Sequence, residues 1–448
     1  MTAQITIDRP ELVAPFSETF RAFEEGDGRL APASVQSMRE AAFDHLRHIG
    51  FPTTKNEDWH YTSVAPILEH DYLHVTTRSG DVLPEALAPF TFGHSEWPRL
   101  AFVNGRFAPE LSNTDHLPNG VHVVDLRRAW EELPELVEQL GQITSYDDRA
   151  FTALNTAFMN DGAVVQFDAN TELEVPIHLL FVTDAVAAKS MMHPRNLIVL
   201  GRNAKARVIE SYVSLSNAVY FTNGVTEVAL AEGATLHHYK MQREGMRAFH
   251  VGTIETHQAR DTHYISFSLA TGASLSRTNI YTTLDGEGCG TTVNGLYMLD
   301  GDQHCDHQTM IVHAQPNCFS RELYKGVLDG QSHGVFNGKV YVEPIAQKTD
   351  GKQTNNTLLL SDRAQIDTKP QLEIFADDVK CTHGATVGRL DEQALFYMKS
   401  RGVGRELARR LLTYAFAADV LETIEEESVR EELERMTLQR FTTAESHA

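Results

Sequence analysis

The sequence predicts a mainly β protein with helical regions at both ends. Three observations carry this. Between about Gly162 and Gly388, short β-rich runs alternate with Gly-containing corners, and almost no helix-length pattern occurs. Before about Ala150, apolar residues recur at three- and four-residue spacings. After Asp391 that helical spacing returns and continues to near the C-terminus. The expected division is a mainly helical region over 1–150, a β core over 151–388 and a helical region over 389–448. A chain of 448 residues has room for this, at roughly 100–200 residues per domain.

In the first zone, FSETFRAFEEG, VQSMREAAFDHLRHIG and DLRRAWEELPELVEQLGQI have helical periodicity. Val35, Met38, Ala42 and Leu46 share one face, and Gly50 is the expected stop. Extended pieces, PRLAFVNGRFAPEL and VHVVDL, interrupt this zone. In the second zone, runs such as NLIVLGRNAKARVIESYV, TEVALAEGATLHHYKM and HGVFNGKVYV repeat one form: an apolar strand, a small polar corner, then another strand. No strict period is visible, so a sandwich, a barrel or a β-helix each fits. The uniform run of short strands leans towards stacked coils. In the third zone, Val403, Leu407, Leu411 and Ala415 form one stripe, and Leu412, Phe416, Val420 and Ile424 a second. So wide an apolar face serves either the chain's own core or a docked partner.

Composition excludes several function classes. Hydrophobic residues make up 42% of the chain, which argues against disorder. Lys+Arg total 39 against 61 Asp+Glu, a formal charge of -22. Nucleic-acid and anionic-membrane binding are disfavoured, because phosphate contacts need a basic surface. No stretch approaches the roughly 18 apolar residues that span a bilayer, and MTAQITIDRPELVAPF lacks the apolar region of a signal peptide. The four cysteines, Cys289, Cys305, Cys318 and Cys381, form no C-x-x-C pair. Reduced thiols in a cytoplasmic compartment are expected.

The chemistry-bearing stretch runs from Lys369 to Arg401. An alternating apolar segment (Leu372, Ile374, Phe375) runs into Asp377 and Asp378, then Cys381-Thr-His383 and Gly384. Thiol and imidazole are both ligands for soft or borderline metals. On a strand, positions 381 and 383 share a face about 6.5–7 Å apart. Two ligands are too few for a closed site, so others must come from a partner or a substrate. A buried thiol beside a hydrogen-bonded imidazole is the competing reading. Asp377 and Asp378 face opposite ways on a strand, which excludes a shared-proton dyad and leaves structural or interface charges.

A second constellation is His304, Cys305, Asp306, His307 and His313. Alternation puts His304 and Asp306 on one face, and Cys305, His307 and His313 on the other. The set is capable of metal binding or of a structural polar ladder. Cys289 and Cys318 are read as buried structural thiols. Arg321, Lys325, Lys339 and Lys348 are read as ion-pair partners, and Trp59 and Tyr61 as domain-packing residues. The chain contains no G-x-x-x-x-G-K-[ST] and no H-E-x-x-H, so no nucleotide loop or zincin helix is expected.

Tyr324 to Val403 resembles, almost without a gap, the core signature of the SufB/SufD family of iron–sulfur cluster assembly proteins. FPTTKNEDWHYTSV (Phe51 to Val64) resembles the family's N-terminal motif, with His60 where Lys or Arg is usual. QHCDHQTMIVHAQPNCFS (Gln303 to Ser320) resembles a third segment, with Asn317 and Gln308 where His is expected. The ending FYMKSRGVGRELARRLLTYAFAADVLETI is similar to the SufD branch. The resemblance implies a right-handed parallel β-helix flanked by helical domains. It implies a non-catalytic scaffold working with a SufB-like subunit and a SufC-like ABC ATPase, which docks on the C-terminal helices near Leu407, Leu411, Phe416 and Val420. It places Cys381 and His383 at the SufB interface, where iron or a nascent cluster passes transiently and no cofactor is tightly held. A homodimer of the isolated chain stays open. So do two alternatives: a polysaccharide-acting β-helix enzyme, against which the missing signal peptide and 8% aromatic content argue, and a stand-alone iron-binding protein.

Overall fold

A computed structural model describes residues 10–75 and 82–440. Two parallel sheets face each other. The first carries Arg195–Leu200, Phe221–Leu230, Phe249–Gln258, Leu275–Leu284, His304–His313, His333–Val342 and Gln365–Ile374. The second carries Lys205–Ser214, Thr235–Arg243, His263–Ala270, Gly290–Leu299, Phe319–Leu328, Asp350–Leu359 and Lys380–Gly388. The chain alternates between them, so each strand pairs with the one two before it. The result is a parallel β-solenoid of about 8 turns with helices at both termini. The stacked coils expected from the sequence are present. Coil length explains why no period was visible: Phe249 pairs with Leu275, and Leu275 with His304, steps of 26 (275 − 249) and 29 (304 − 275) residues.

Side chains on the inner faces fill the space between the sheets, among them Ile198, Val208, Leu236, Ile254, Val293 and Phe336. The outer faces are also covered. The helix Ala150–Phe158, buried along its whole length, packs with Phe16, Phe23 and Phe43 over Phe221, Phe249 and Leu275 of the first sheet. Val420, Leu421 and Leu433 from the C-terminal helices, with Ile424 from the turn between them, cover Met241, Leu269, Leu296 and Met298 of the second. Strands buried on both faces commonly read as continuous apolar runs, but these carry many polar residues, as in Lys205–Ser214 and His304–His313.

The expected helix over Ala33–Ile49 ends at Gly50, whose φ is 66° and whose N–H donates to the Leu46 carbonyl at 2.8 Å. The extended pieces of the first zone are strands of the solenoid itself. Arg99–Val103 pairs in parallel with Ile177–Thr183 and antiparallel with Arg106–Phe107, and Val121–Asp125 pairs antiparallel with Ala163–Phe167. At the other end, Gln365–Ile374 and Lys380–Gly388 each have a neighbour on one side only among the described residues.

Candidate functional site

Cys381 and His383 lie on Lys380–Gly388, the last strand of the second sheet. Cys381 is in register with Gly351, and His383 with Gln353. The alternation expected for a strand therefore holds. Cys381 packs beside Val340, Val342 and Ala346, and its burial pushes the thiol above its ordinary pKa. His383 is exposed. The next level down is occupied by Gln353, whose amide donates to Glu322 at 2.6 Å. Burial pushes the Glu322 carboxyl up to about 7. Among the described residues no group of three or more His, Cys, Asp or Glu is placed to hold a metal ion. Cys381 and His383 thus stand as two donors on an uncovered rung. Around them, Phe375, Val387 and Ile374 are 57%, 51% and 36% exposed.

The structure separates the two stripes of the C-terminal region. Val420 is fully buried under the chain's own second sheet, and Phe416 packs beside that cluster. The stripe containing Phe416 and Val420 therefore belongs mainly to the core, and a partner on this surface would not touch Val420. Leu407 and Leu411 are 44% and 39% exposed, and Phe396 and Tyr397 on the preceding helix 74% and 58%. Lys325 clamps the helix to the sheet by donating to the Phe416 carbonyl at 2.6 Å and pairing with Asp419.

The second constellation is taken apart by the fold. His304 and Asp306 face outward and meet the N-terminal motif. Thr62 Oγ1 donates to Asp306 at 2.6 Å and lies 2.9 Å from His304 Nε2. Arg277 donates to Asp306 at 2.6 Å and to the Asp58 carbonyl at 2.7 Å, with its guanidinium 3.7 Å from the Trp59 ring centroid. Cys305 and His307 face inward, with Sγ and Nδ1 3.6 Å apart, and His313 Nε2 is 2.9 Å from Ser320 Oγ. Burial pushes the Cys305 thiol up to about 12 and holds the three imidazoles down at about 4. This constellation docks the N-terminal segment on one face and fills the core on the other. The expected ion pairs exist: Arg321 with Asp350, Lys339 with Glu373, and Lys348 with Asp378.

Residues 181–416 match the SufBD core domain of SUF-system FeS cluster assembly, and residues 16–179 match the SufBD protein N-terminal region. The chain belongs to the SufB/SufD family. The iron–sulfur cluster assembly protein SufD of Escherichia coli is 32% identical over 92% of this chain and 93% of its own length. A SufBD family protein of Synechocystis is 37% identical over 87% of each chain. SufD of Bacillus subtilis is 27% identical over 90% of this chain and 93% of its own. The chain is thus a SufD-like iron–sulfur cluster assembly protein of a scaffold family.

One feature of this SufB/SufD family chain escaped the sequence reading, a charged line inside the solenoid. Glu210 accepts from Tyr212 at 2.6 Å and faces His238 at 3.1 Å. Lys240 Nζ lies 2.7 Å from His250 Nε2, and His250 Nδ1 lies 2.7 Å from Glu244. Burial holds the Lys240 amine down at about 8, and His238 leads the groups that hold Glu210 down at about 2 against its own burial. Its signal was present: the ionisable residues of HHYKM and VIESYV sit on alternate strand positions, where partners on adjacent coils neutralise them.

Proposed function

We propose that the chain is a non-catalytic SufD-type scaffold subunit that pairs its open last coil with a SufB-like subunit and carries a SufC-like ATPase on its C-terminal helices. The observation that carries this is the uncovered rung over Lys380–Gly388. An edge strand there offers unpaired backbone groups, exposed Phe375 and Val387, and two soft-metal donors that need further ligands. The missing ligands come from the partner, so iron or a nascent cluster is held at the junction and passes on as cargo. Leu407, Leu411, Phe396 and Tyr397 offer the ATPase an apolar surface that costs the core nothing when covered. No helix among the described residues is long and apolar enough to cross a membrane, and the four free thiols suit the reducing cytoplasm.

The test is cluster assembly in a reconstituted complex with His383→Ala and Cys381→Ala. Loss of assembly with an intact complex is expected for His383→Ala. Full assembly by both variants would remove these residues from the site. For the ATPase, Leu407→Asp with Leu411→Asp is expected to abolish co-purification. Retained binding by this variant places the docking surface elsewhere.

A further inference from the structure

Cys289 and Cys318 have no part in the reading above. They occupy equivalent corners of consecutive coils: each immediately precedes a strand, and Gly290 is in register with Phe319. Adjacent strands lie about 4.8 Å apart, inside the roughly 4.4–6.8 Å between Cα atoms that a disulfide spans. The side chains converge on one point. The Cys289 sulfur lies 3.1 Å, and the Cys318 sulfur 3.3 Å, from the same Gly286 carbonyl oxygen. The two thiols are within hydrogen-bonding reach of each other, and Thr262 Oγ1 donates to the Cys289 sulfur at 3.5 Å. Hydrogen bonds from Cys318 and Thr262 hold the Cys289 thiol below its ordinary value, the direction that favours a thiolate within the pair. Both residues are buried, and the adjoining corners over 285–288 and 314–317 include exposed Asp285, Glu287 and Asn317. Cys305, by contrast, lies within the strand His304–His313, its sulfur 3.6 Å from His307 Nδ1.

We infer that Cys289 and Cys318 form a reversible disulfide that staples two consecutive coils when the chain meets hydrogen peroxide. The Cys289 thiolate attacks one peroxide oxygen and the O–O bond breaks. The departing hydroxide takes a proton to become water, leaving a sulfenic acid on Cys289. The Cys318 sulfur then attacks that sulfur. The S–S bond forms, the S–O bond breaks, and the leaving hydroxide takes the Cys318 proton as a second water. Two thiols are oxidised by two electrons and the peroxide is reduced. The bridge closes a step of 29 residues (318 − 289) and therefore restricts the unfolded chain. A dithiol reductant reverses it by exchange.

The test uses the full chain, fully reduced and then treated with hydrogen peroxide, alkylated and digested without reductant. Free thiols should fall from four to two, from the starting set of Cys289, Cys305, Cys318 and Cys381. One bridged peptide pair should join Cys289 to Cys318, and dithiothreitol should restore the count. The oxidised chain should melt above the reduced one, a gap absent from both Cys289→Ser and Cys318→Ser. Peptide mapping of the unsubstituted chain decides the matter even where a variant folds poorly. Four persisting thiols, a bridge to Cys305 or Cys381, overoxidation of Cys289 beside an untouched Cys318, or a bridge formed only after denaturation would each overturn the inference.

Discussion

At its N-terminal end the solenoid is closed by strands that double back, whereas at its C-terminal end the last two strands run out into solvent. The closed end turns antiparallel at Arg106–Phe107 and Val121–Asp125, and seals its interior with Leu100, Phe102, Val121 and Phe181. The open end continues the parallel register to its final rung and leaves Phe375 and Val387 half exposed or more. Natural sheets blunt a free edge or cover it. This chain does so at one end and leaves the other for the partner proposed above. Under that proposal, stability and recruitment fall to opposite ends of one architecture.

The largest effects should come from the closed end. Phe102 is 1% exposed and stacks on Phe181 at 4.8 Å between centroids. Phe102→Ala is expected to cost about 3–5 kcal/mol in urea unfolding, whereas Phe375→Ala at the open end should stay within about 0.5 kcal/mol. Equal costs would break the comparison. Glu227 is the next test. It is fully buried, pairs with Arg195 at 2.6 Å and accepts from the backbone of Gly141, Ile143 and Thr144. Glu227→Ala leaves the Arg195 charge buried and should cost about 3–5 kcal/mol by the same measurement.

Acid should weaken the buried layers. Burial holds His178 and His193 down at about 3, and His304, His307 and His313 at about 4. An unfolded histidine titrates near about 6.5. Between about pH 6.5 and 4 the unfolded chain therefore binds protons that the folded chain refuses, and stability falls as pH falls. Each histidine contributes up to about 1.4 kcal/mol per pH unit in that window. Glu322 opposes this: its folded value is raised to about 7, so its contribution is full at low pH and lost as pH rises through 7. Asp161, raised by burial to about 6, and Glu24 and Glu255, also raised by burial, oppose it in the same way. These four carboxyls do not offset the five imidazoles together with His74, His237 and His250, which burial also holds down. A urea midpoint that stays flat from about pH 6.5 to 4.5 would contradict this balance. The smallest effect on stability belongs to His383→Ala, within about 0.5 kcal/mol in unfolding. A larger loss would mean that the open rung is itself structural.

Much of this was legible because burial leaves a periodic trace. The stop at Gly50, the β zone and the start of the C-terminal helices follow from local pattern. What the pattern could not separate was which apolar stripe meets which surface. Leu411 and Val420 look alike in sequence, and only the position of the second sheet makes one exposed and the other core. Asn-Gly pairs also depend on context. They usually mark hairpins, yet Asn223-Gly224, Asn294-Gly295 and Asn337-Gly338 lie within strands. There a Cβ would come within 2.7 Å of Tyr212, 2.3 Å of Tyr324 and 2.3 Å of Gln353, respectively. Glycine is chosen by a neighbour's bulk, which local spacing does not record. The His304 cluster illustrates a third limit, since its partners Thr62 and Asp58 lie more than 200 residues upstream.

That separation has a consequence for how the chain is made. Thr62 bonds a residue 244 positions later, and Glu57 pairs with Lys369, 312 positions later. At about 5–20 residues per second of synthesis, the Glu57–Lys369 pair has to wait roughly 15–60 s for its second half. Within that interval the indole of Trp59 waits 92 positions (151 − 59) for Phe151, whose ring it meets at 5.3 Å, and 218 positions (277 − 59) for Arg277, which covers it. The part of this protein that the ribosome releases first is among the last that it can finish folding.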